Sequence, residues 1–191
     1  MPHRRQWLLA ICFIATSAVT AEFSIDACRA NDWPMWRSDA GRTGVTTESL
    51  PEKLELKWVR KLPAISPAFH SPRLQFDAGY EPVVADGRVL VASSRNDLVT
   101  AFDAETGKEL WTYRTNGPVR FAPAVWEESV CFGSDDGCLY CVELSTGKLR
   151  WKHRATPNDR KLLGNQRLIS VWPVRGGPVV ANGQVYFAAG V

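Results

Sequence analysis

The chain has 191 residues, 45% of them hydrophobic, and a net charge of +3 at pH 7, of which Arg4 and Arg5 near the start supply two. The near-neutral remainder gives no global argument for nucleic acid or an anionic membrane surface as partner, and the length allows one or two domains with a sizeable core. Eight Trp is a rich count for this length, and several fall at repeated positions, which marks a structural use.

Residues 1–21 read as a signal peptide: a basic "MPHRRQ", an apolar run "WLLAICFIATSAV", and small residues in "VTA" for cleavage after Ala21. The run is short against the roughly 20 residues a spanning helix needs, which argues against a retained anchor. Asp26, two residues before Cys28, fits poorly in a lipidation site. Residues 22–31 form a linker, and no later segment is apolar enough to span a bilayer. The mature protein is expected to be exported, to the periplasm or cell envelope.

From residue 32 onward the chain repeats itself, and a fixed period dictates the fold. After "DWPMWRSDAGRTGV" (32–45) and an expected early strand, "LELKWVRKL" (54–62), "EPVVADGRVLVASSRNDLVTAFDAETGKELW" (81–111) matches "APAVWEESVCFGSDDGCLYCVELSTGKLRW" (122–151). A third copy begins at "GPVVANGQVYFAAGV" (177–191). Each copy opens with Pro and a short β-branched run, then turns at Asp86-Gly87, Glu127-Glu128 or Asn182-Gly183. Asp-Gly and Asn-Gly between apolar runs signal a hairpin, because type I′ turns need positive φ at both centres. A second strand, a polar turn, a third strand, a Thr-Gly turn and a fourth strand bearing Trp complete the unit. It is a four-stranded antiparallel meander of about forty residues, the pattern of a propeller blade. The expected fold is all-β, a partial β-propeller over 32–191 with repeats at 81–120, 121–176 and a shortened 177–191. Propellers typically have about four to eight blades, so a longer natural protein, monomeric at full length, is the simplest reading; assembly of several short chains into a ring is the other.

The recurring phrase has a physical job. Asp103 ends the third strand, where its carboxylate can accept N–H bonds across the turn. Gly107 can take the left-handed conformation that reverses the chain. Trp111, on the outermost strand, can then cover the gap to the next blade, with small Ala101 leaving it room. In the second copy Cys141 and Glu143 replace Ala101 and Asp103, while Thr146, Gly147 and Trp151 repeat Thr106, Gly107 and Trp111. Both Trp111 and Trp151 are expected to act as wedges between blades.

Ala101-x-Asp103-x-x-Thr106-Gly107-x-x-x-Trp111 resembles the tryptophan-docking motif of the pyrroloquinoline-quinone (PQQ) repeat, or quinoprotein-like, β-propellers, and the opening at 32–45 resembles the start of exported bacterial members. The resemblance spans about residues 32–191. It is specific for fold and weak for chemistry, since the family includes PQQ-dependent dehydrogenases, the propeller lipoprotein of the outer-membrane β-barrel assembly machinery, and proteins of unknown role.

The segment 152–176 is long for a connection inside a compact domain, which usually marks function or disorder. Arg154, Arg160, Lys161, Arg167 and Arg175 lie in it with Asn158, Asn165 and Trp172, and its apolar residues favour order. Arg160, Asn165, Arg167, Trp172 and Arg175 are therefore the candidate ligand-binding residues, suited to a carboxylate-rich small molecule or an anionic glycan. A plain loop whose arginines pair with nearby acids is the alternative.

Cys138 and Cys141 have C-x-x-C spacing, but alternation along a strand turns them to opposite faces, which disfavours a metal or redox pair. A tight hairpin at Asp135-Asp136-Gly137 would set Cys131 opposite Cys141; these two are read as either a disulfide or buried free thiols. "SDDG" lacks the spaced ligands of an EF-hand and reads as a turn. "GRTG" lacks the context of a phosphate loop, His70 and His153 lack zinc-ligand spacing, and no G-x-S-x-G elbow occurs.

Three functions are weighed. The preferred one is a non-catalytic binding or scaffold propeller of the cell envelope, with an envelope protein or an anionic small ligand as partner and no nucleic acid. No metal or cofactor is assignable from the residues. The alternative, implied by the resemblance, is a PQQ-dependent dehydrogenase oxidising an alcohol or sugar with calcium, its catalytic residues unknown and its active-site blades outside this chain. Neither the adjacent cysteines of its alcohol dehydrogenases nor a haem-type C-x-x-C-H occurs. The third is an accessory domain of a larger envelope protein.

Overall fold

Side-chain alternation along short strands, punctuated by residues that tolerate positive φ, sets the backbone. The computed structural model describes residues 32–49, 52–69, 76–164 and 167–190. The expected signal peptide and linker, His70 and Asn165 lie outside the described residues.

β1 (Val83–Ala85), β2 (Arg88–Ser93), β3 (Leu98–Asp103) and β4 (Glu109–Arg114) form one four-stranded sheet in that order. β5 (Ala124–Trp126), β6 (Ser129–Gly133), β7 (Cys138–Glu143) and β8 (Leu149–Arg154) form a second. β9 (Lys161–Gly164) pairs with β10 (Arg167–Ser170), and β11 (Val179–Ala181) with β12 (Gln184–Tyr186). All pairings between strands are antiparallel, and no helix occurs among the described residues, so none is long and apolar enough to cross a membrane.

The first hairpin turns at Asp86 and Gly87 with φ of 48° and 69°, the two left-handed centres of a type I′ turn, and Asn182 and Gly183 repeat it at 51° and 70°. The second sheet makes its turn with Glu127 alone at positive φ, 49°. β3–β4 and β7–β8 shift register at equivalent places, Ala101/Phe102 and Cys141/Val142, just before each Thr-Gly turn.

The two large sheets stack on one apolar layer. Val83, Leu90, Val99 and Ala101 of the first meet Val130, Phe132, Tyr140 and Val142 of the second, with Tyr113 edge-on to Phe132 at 5.8 Å. A smaller cluster of Met35, Ala124 and Val180 joins the second sheet to β11 and β12. Sheets that each pack on the next in chain order are the leaves of a propeller: two complete, with parts of two others at 54–62 and 179–186.

Two segments differ from their sequence reading. Residues 54–62 run extended but form no strand among the described residues; Trp58 and Arg60 instead reach the backbone of the 104–107 turn with their side chains. The 152–176 segment is not one loop. It continues β8 to Arg154 and then folds into the β9–β10 hairpin, whose Leu162↔Ile169 pair turns Ile169 inward to 4% exposure while Leu163↔Leu168 faces out.

Candidate functional site

The repeated phrase folds as a compact turn. Asp103 accepts from Thr106 N and Thr106 Oγ1, both at 2.7 Å, and its backbone pairs with Lys108 and Gly107. The Thr106 hydroxyl, first among its donors, holds the Asp103 carboxyl below its usual value. Glu143 serves the same way in the second sheet, accepting from Thr146 Oγ1. The product of this turn is a landing surface. Trp111 crosses from β4 to the second sheet, where its Nε1 donates to Leu144 O at 2.8 Å and its ring lies over Gly147, the whole residue 8% exposed.

Gly147 leaves no room for anything larger than hydrogen: a Cβ there would come within 2.6 Å of the Trp111 ring, and its φ of +69° already favours glycine. Gly147→Ala is expected to destabilise the fold by about 1–3 kcal/mol, read from the denaturant midpoint. An unchanged midpoint would mean that the contact carries no packing energy.

Trp58, a residue that sequence reasoning passed over, repeats the contact one sheet earlier. Its Nε1 donates to Ala104 O at 2.9 Å and its ring lies over Gly107. No Thr-Gly-x-x-x-Trp phrase precedes it, so only its place in "LKW" could have signalled it. Trp151 departs from the expected wedge. It is 40% exposed and finds no hydrogen-bond partner among the described residues.

The segments joining the sheets carry a buried ionic knot. Arg120, on the β4–β5 connection, donates from Nη1 to Asp77 Oδ2 and from Nε to Asp135 Oδ2, both at 2.7 Å, and from Nη1 to Ser66 O at 2.8 Å. Asp77 also accepts from Ala68 N at 2.9 Å. Arg120, Asp77 and Asp135 are 7%, 3% and 1% exposed, so this is a charge cluster withdrawn from water. Burial pushes the Asp135 carboxyl up, against the pull of Arg120 and Arg175. Arg120 sits in "GPVRFAP" and Asp135 in the "SDDG" read as a bare turn; neither motif announces a partner many residues away.

Arg175 extends the knot outward. Its Nε lies 3.5 Å from Asp135 Oδ1, and both atoms are buried without a hydrogen bond among the described residues. Its guanidinium stands 5.6 Å from the Phe69 ring centre and 6.0 Å from that of Phe76, and Phe76 stacks on Phe121 at 5.7 Å. Phe69, Phe76, Phe121 and Arg175, with Gly176 and Gly190, line an open recess of about 390 Å³.

Of the five ligand-binding candidates, Arg175 alone among those described lines this recess. Arg167 instead grips Asp97 with both terminal nitrogens, Nη1 to Oδ1 at 2.7 Å, and so ties β10 to the β2–β3 turn. Arg160 is exposed, Trp172 is 41% exposed, and Asn165 lies outside the described residues. Cys131 and Cys141 stand opposite each other in the register of β6 and β7, both buried. Among the described residues no group of three or more His, Cys, Asp or Glu is placed to hold a metal ion.

Stacked four-stranded antiparallel leaves, with Trp111, from the last strand of the first, set on the Thr-Gly turn of the second and Trp58 set on that of the first, define a PQQ-repeat β-propeller. Residues 23–184 match the family model described as "Outer membrane protein assembly factor BamB", and the chain belongs to that PQQ-repeat family. It is 35% identical over 120 residues to the dehydrogenase subunit of a quinone alcohol dehydrogenase from Gluconacetobacter polyoxogenes, covering 57% of this chain and 16% of the relative. It is 27% identical over 219 residues to the quinohemoprotein alcohol dehydrogenase of Comamonas testosteroni, covering 96% of this chain and 28% of that protein. The crystal structure of the Comamonas testosteroni enzyme superimposes with a TM-score of 0.60 at 24% identity, over 87% of this chain and 24% of that one, a likeness of fold. The chain thus spans well under a third of the length of these relatives.

Proposed function

We propose that the chain forms part of an exported, non-catalytic propeller of the cell envelope that serves as a rigid binding scaffold, with the Arg175 recess as its contact for an anionic small ligand. The observation that carries this reading is the environment of Arg175. Its Nε is buried without a hydrogen bond among the described residues, 3.5 Å from Asp135 Oδ1, and its guanidinium is flanked by flat apolar rings. A planar carboxylate suits such a place: the anion meets the guanidinium fork and the plane lies on a ring face. Rigidity is supported by the other arginines, since Arg120 and Arg167 are engaged with Asp77, Asp135 and Asp97. Export is supported by the basic and apolar opening of the sequence.

The names of the matched relatives favour a second reading, oxidation of an alcohol or sugar with PQQ. PQQ is a tricarboxylic quinone, and several uncommitted cations around one flat slot would suit it. Here Arg175 alone faces the recess while Arg120 and Arg167 are paired with carboxylates, so the described residues do not by themselves fit that group.

The test is titration of the protein with benzoate, followed by the fluorescence and NMR signals of the recess. Saturable binding that Arg175→Gln weakens about tenfold is expected, equivalent to loss of one charge-assisted contact. Binding unaltered by Arg175→Gln would remove the recess from the proposal. Dye-linked alcohol oxidation that needs both PQQ and calcium would replace the scaffold reading with the enzymatic one.

A further inference from the structure

The two central strands of the second sheet bring two thiols together in a way that their spacing in sequence only half discloses. Ser134 N donates to Cys138 O at 3.0 Å and Leu144 N to Glu128 O at 2.8 Å, which places the hydrogen-bonded pairs of this ladder at 134/138 and 128/144. Pairs of an antiparallel ladder alternate in type, so Cys131↔Cys141 falls in the non-hydrogen-bonded class, where opposed Cα atoms approach to about 4.5 Å. That lies within the span, roughly 4.4–6.8 Å, that a disulfide bridges. Both side chains share the face that carries Ala124 and Trp151, their register partners, while Val130, Phe132, Tyr140 and Val142 turn to the first sheet. The first sheet holds Leu90 and Ala101 at the same places, so shape alone does not call for cysteine.

The two thiols interact directly, and that interaction is the largest influence on the acidity of each: it lowers the Cys141 thiol to about 7 and pushes the Cys131 thiol up. Cys138 stands apart: it packs in the layer against the first sheet, and burial, then Asp136, pushes its thiol up.

We propose that Cys131 and Cys141 are joined by a cross-strand disulfide that covalently closes β6 onto β7 beneath Trp151. The bond forms by exchange with a disulfide oxidant. The Cys141 thiolate attacks one sulfur of the oxidant, giving a mixed disulfide and releasing one thiolate; Cys131 loses its proton, attacks Cys141 Sγ and releases the second. Two protein thiols are oxidised by two electrons, and one oxidant disulfide becomes two thiols. At 2% and 1% exposure the pair is sealed in the finished fold, so exchange takes place as the sheet assembles. The oxidant in the cell depends on the export proposed above; the pairing itself does not.

The full chain, reduced and unfolded, is refolded in a buffer of oxidised and reduced glutathione, treated with N-ethylmaleimide under denaturing conditions, and cut with a protease that cleaves before aspartate. Cleavage at Asp135 and Asp136 separates Cys131 from Cys138 and Cys141. The expected result is a linked pair of peptides with maleimide on Cys138, and a thermal midpoint that falls on reduction. In Cys141→Ala, which installs the residue of the first sheet, the link and the reduction-dependent shift are both lost. Maleimide on Cys131 throughout the refolded population would overturn the proposal, as would a Cys131 link that survives in Cys141→Ala. Because the oxidant is supplied in the buffer, failure here is separate from failure of export.

Discussion

Replacing Arg120 by alanine is expected to cost about 3–5 kcal/mol of folding stability, read as a shift of the denaturant midpoint at unchanged slope. The reason is what remains behind. Asp77 and Asp135 sit at 3% and 1% exposure; Asp77 takes its charge partner from this guanidinium, and Asp135 is paired with both it and Arg175. Without it Asp77 faces a dry space unpaired and Asp135 keeps only the longer contact to Arg175, so each must stay charged with less compensation or take up a proton. Protonation is the cheaper course, which fixes the sign of the pH effect. Burial already lifts the Asp135 carboxyl above its usual value of 3.8, so the folded state holds that proton more tightly than the unfolded chain. The associated stability is fully present below 3.8 and is lost as pH rises through the lifted value. Arg120→Ala should therefore recover part of its loss on acidification. Combining it with Asp77→Asn should cost less than the sum of the two single changes, because the second change removes a charge that the first had orphaned. Strict additivity and a flat pH response would show that Arg120 acts only by filling space.

This knot separates what could be read from the sequence from what could not. Hairpins at Asp86-Gly87 and Asn182-Gly183, the strand alternation, and the tryptophan following each Thr-Gly turn are local, carried by residues within a few positions of one another. They were legible because turn chemistry and side-chain alternation act over the same short range. Arg120, Asp77 and Asp135 meet across 43 and 15 residues, and the meeting is made by the stacking of sheets, which no local pattern encodes. The arginines of 152–176 illustrate the same limit. Their composition suggested one shared grip on a ligand, yet the β9–β10 hairpin sends Arg167 to Asp97 and Arg175 to the recess. Trp58 docks on Gly107 as Trp111 docks on Gly147, but it lacks the preceding Thr-Gly turn that made the others visible. Cys131 and Cys141 were legible as opposed residues; that their rung is the closer of the two kinds needed the hydrogen bonds at either end of the hairpin.

Trp111 and Trp151 allow the docking geometry to be weighed by contrast, since equivalent side chains sit in unequal surroundings. Trp111→Ala removes a ring buried to 8% exposure, leaves Leu144 O without its donor and opens a void over Gly147, and should cost about 3–5 kcal/mol. Trp111→Phe keeps much of the apolar contact and loses the N–H, so a smaller loss of about 1–3 kcal/mol is expected from the unsatisfied carbonyl and the smaller ring. Trp151→Ala, at 40% exposure and with no hydrogen bond among the described residues, should fall below about 1 kcal/mol. Denaturant unfolding of the three variants, followed by far-ultraviolet circular dichroism so that the probe does not depend on the residue replaced, would rank them. A loss at Trp151 equal to that at Trp111 would mean that its indole meets a landing surface as complete as Leu144 and Gly147. A small loss at Trp111 would mean that the sheets are held by the apolar layer of Leu90, Val99, Phe132 and Tyr140 alone, with the docking phrase reduced to a turn.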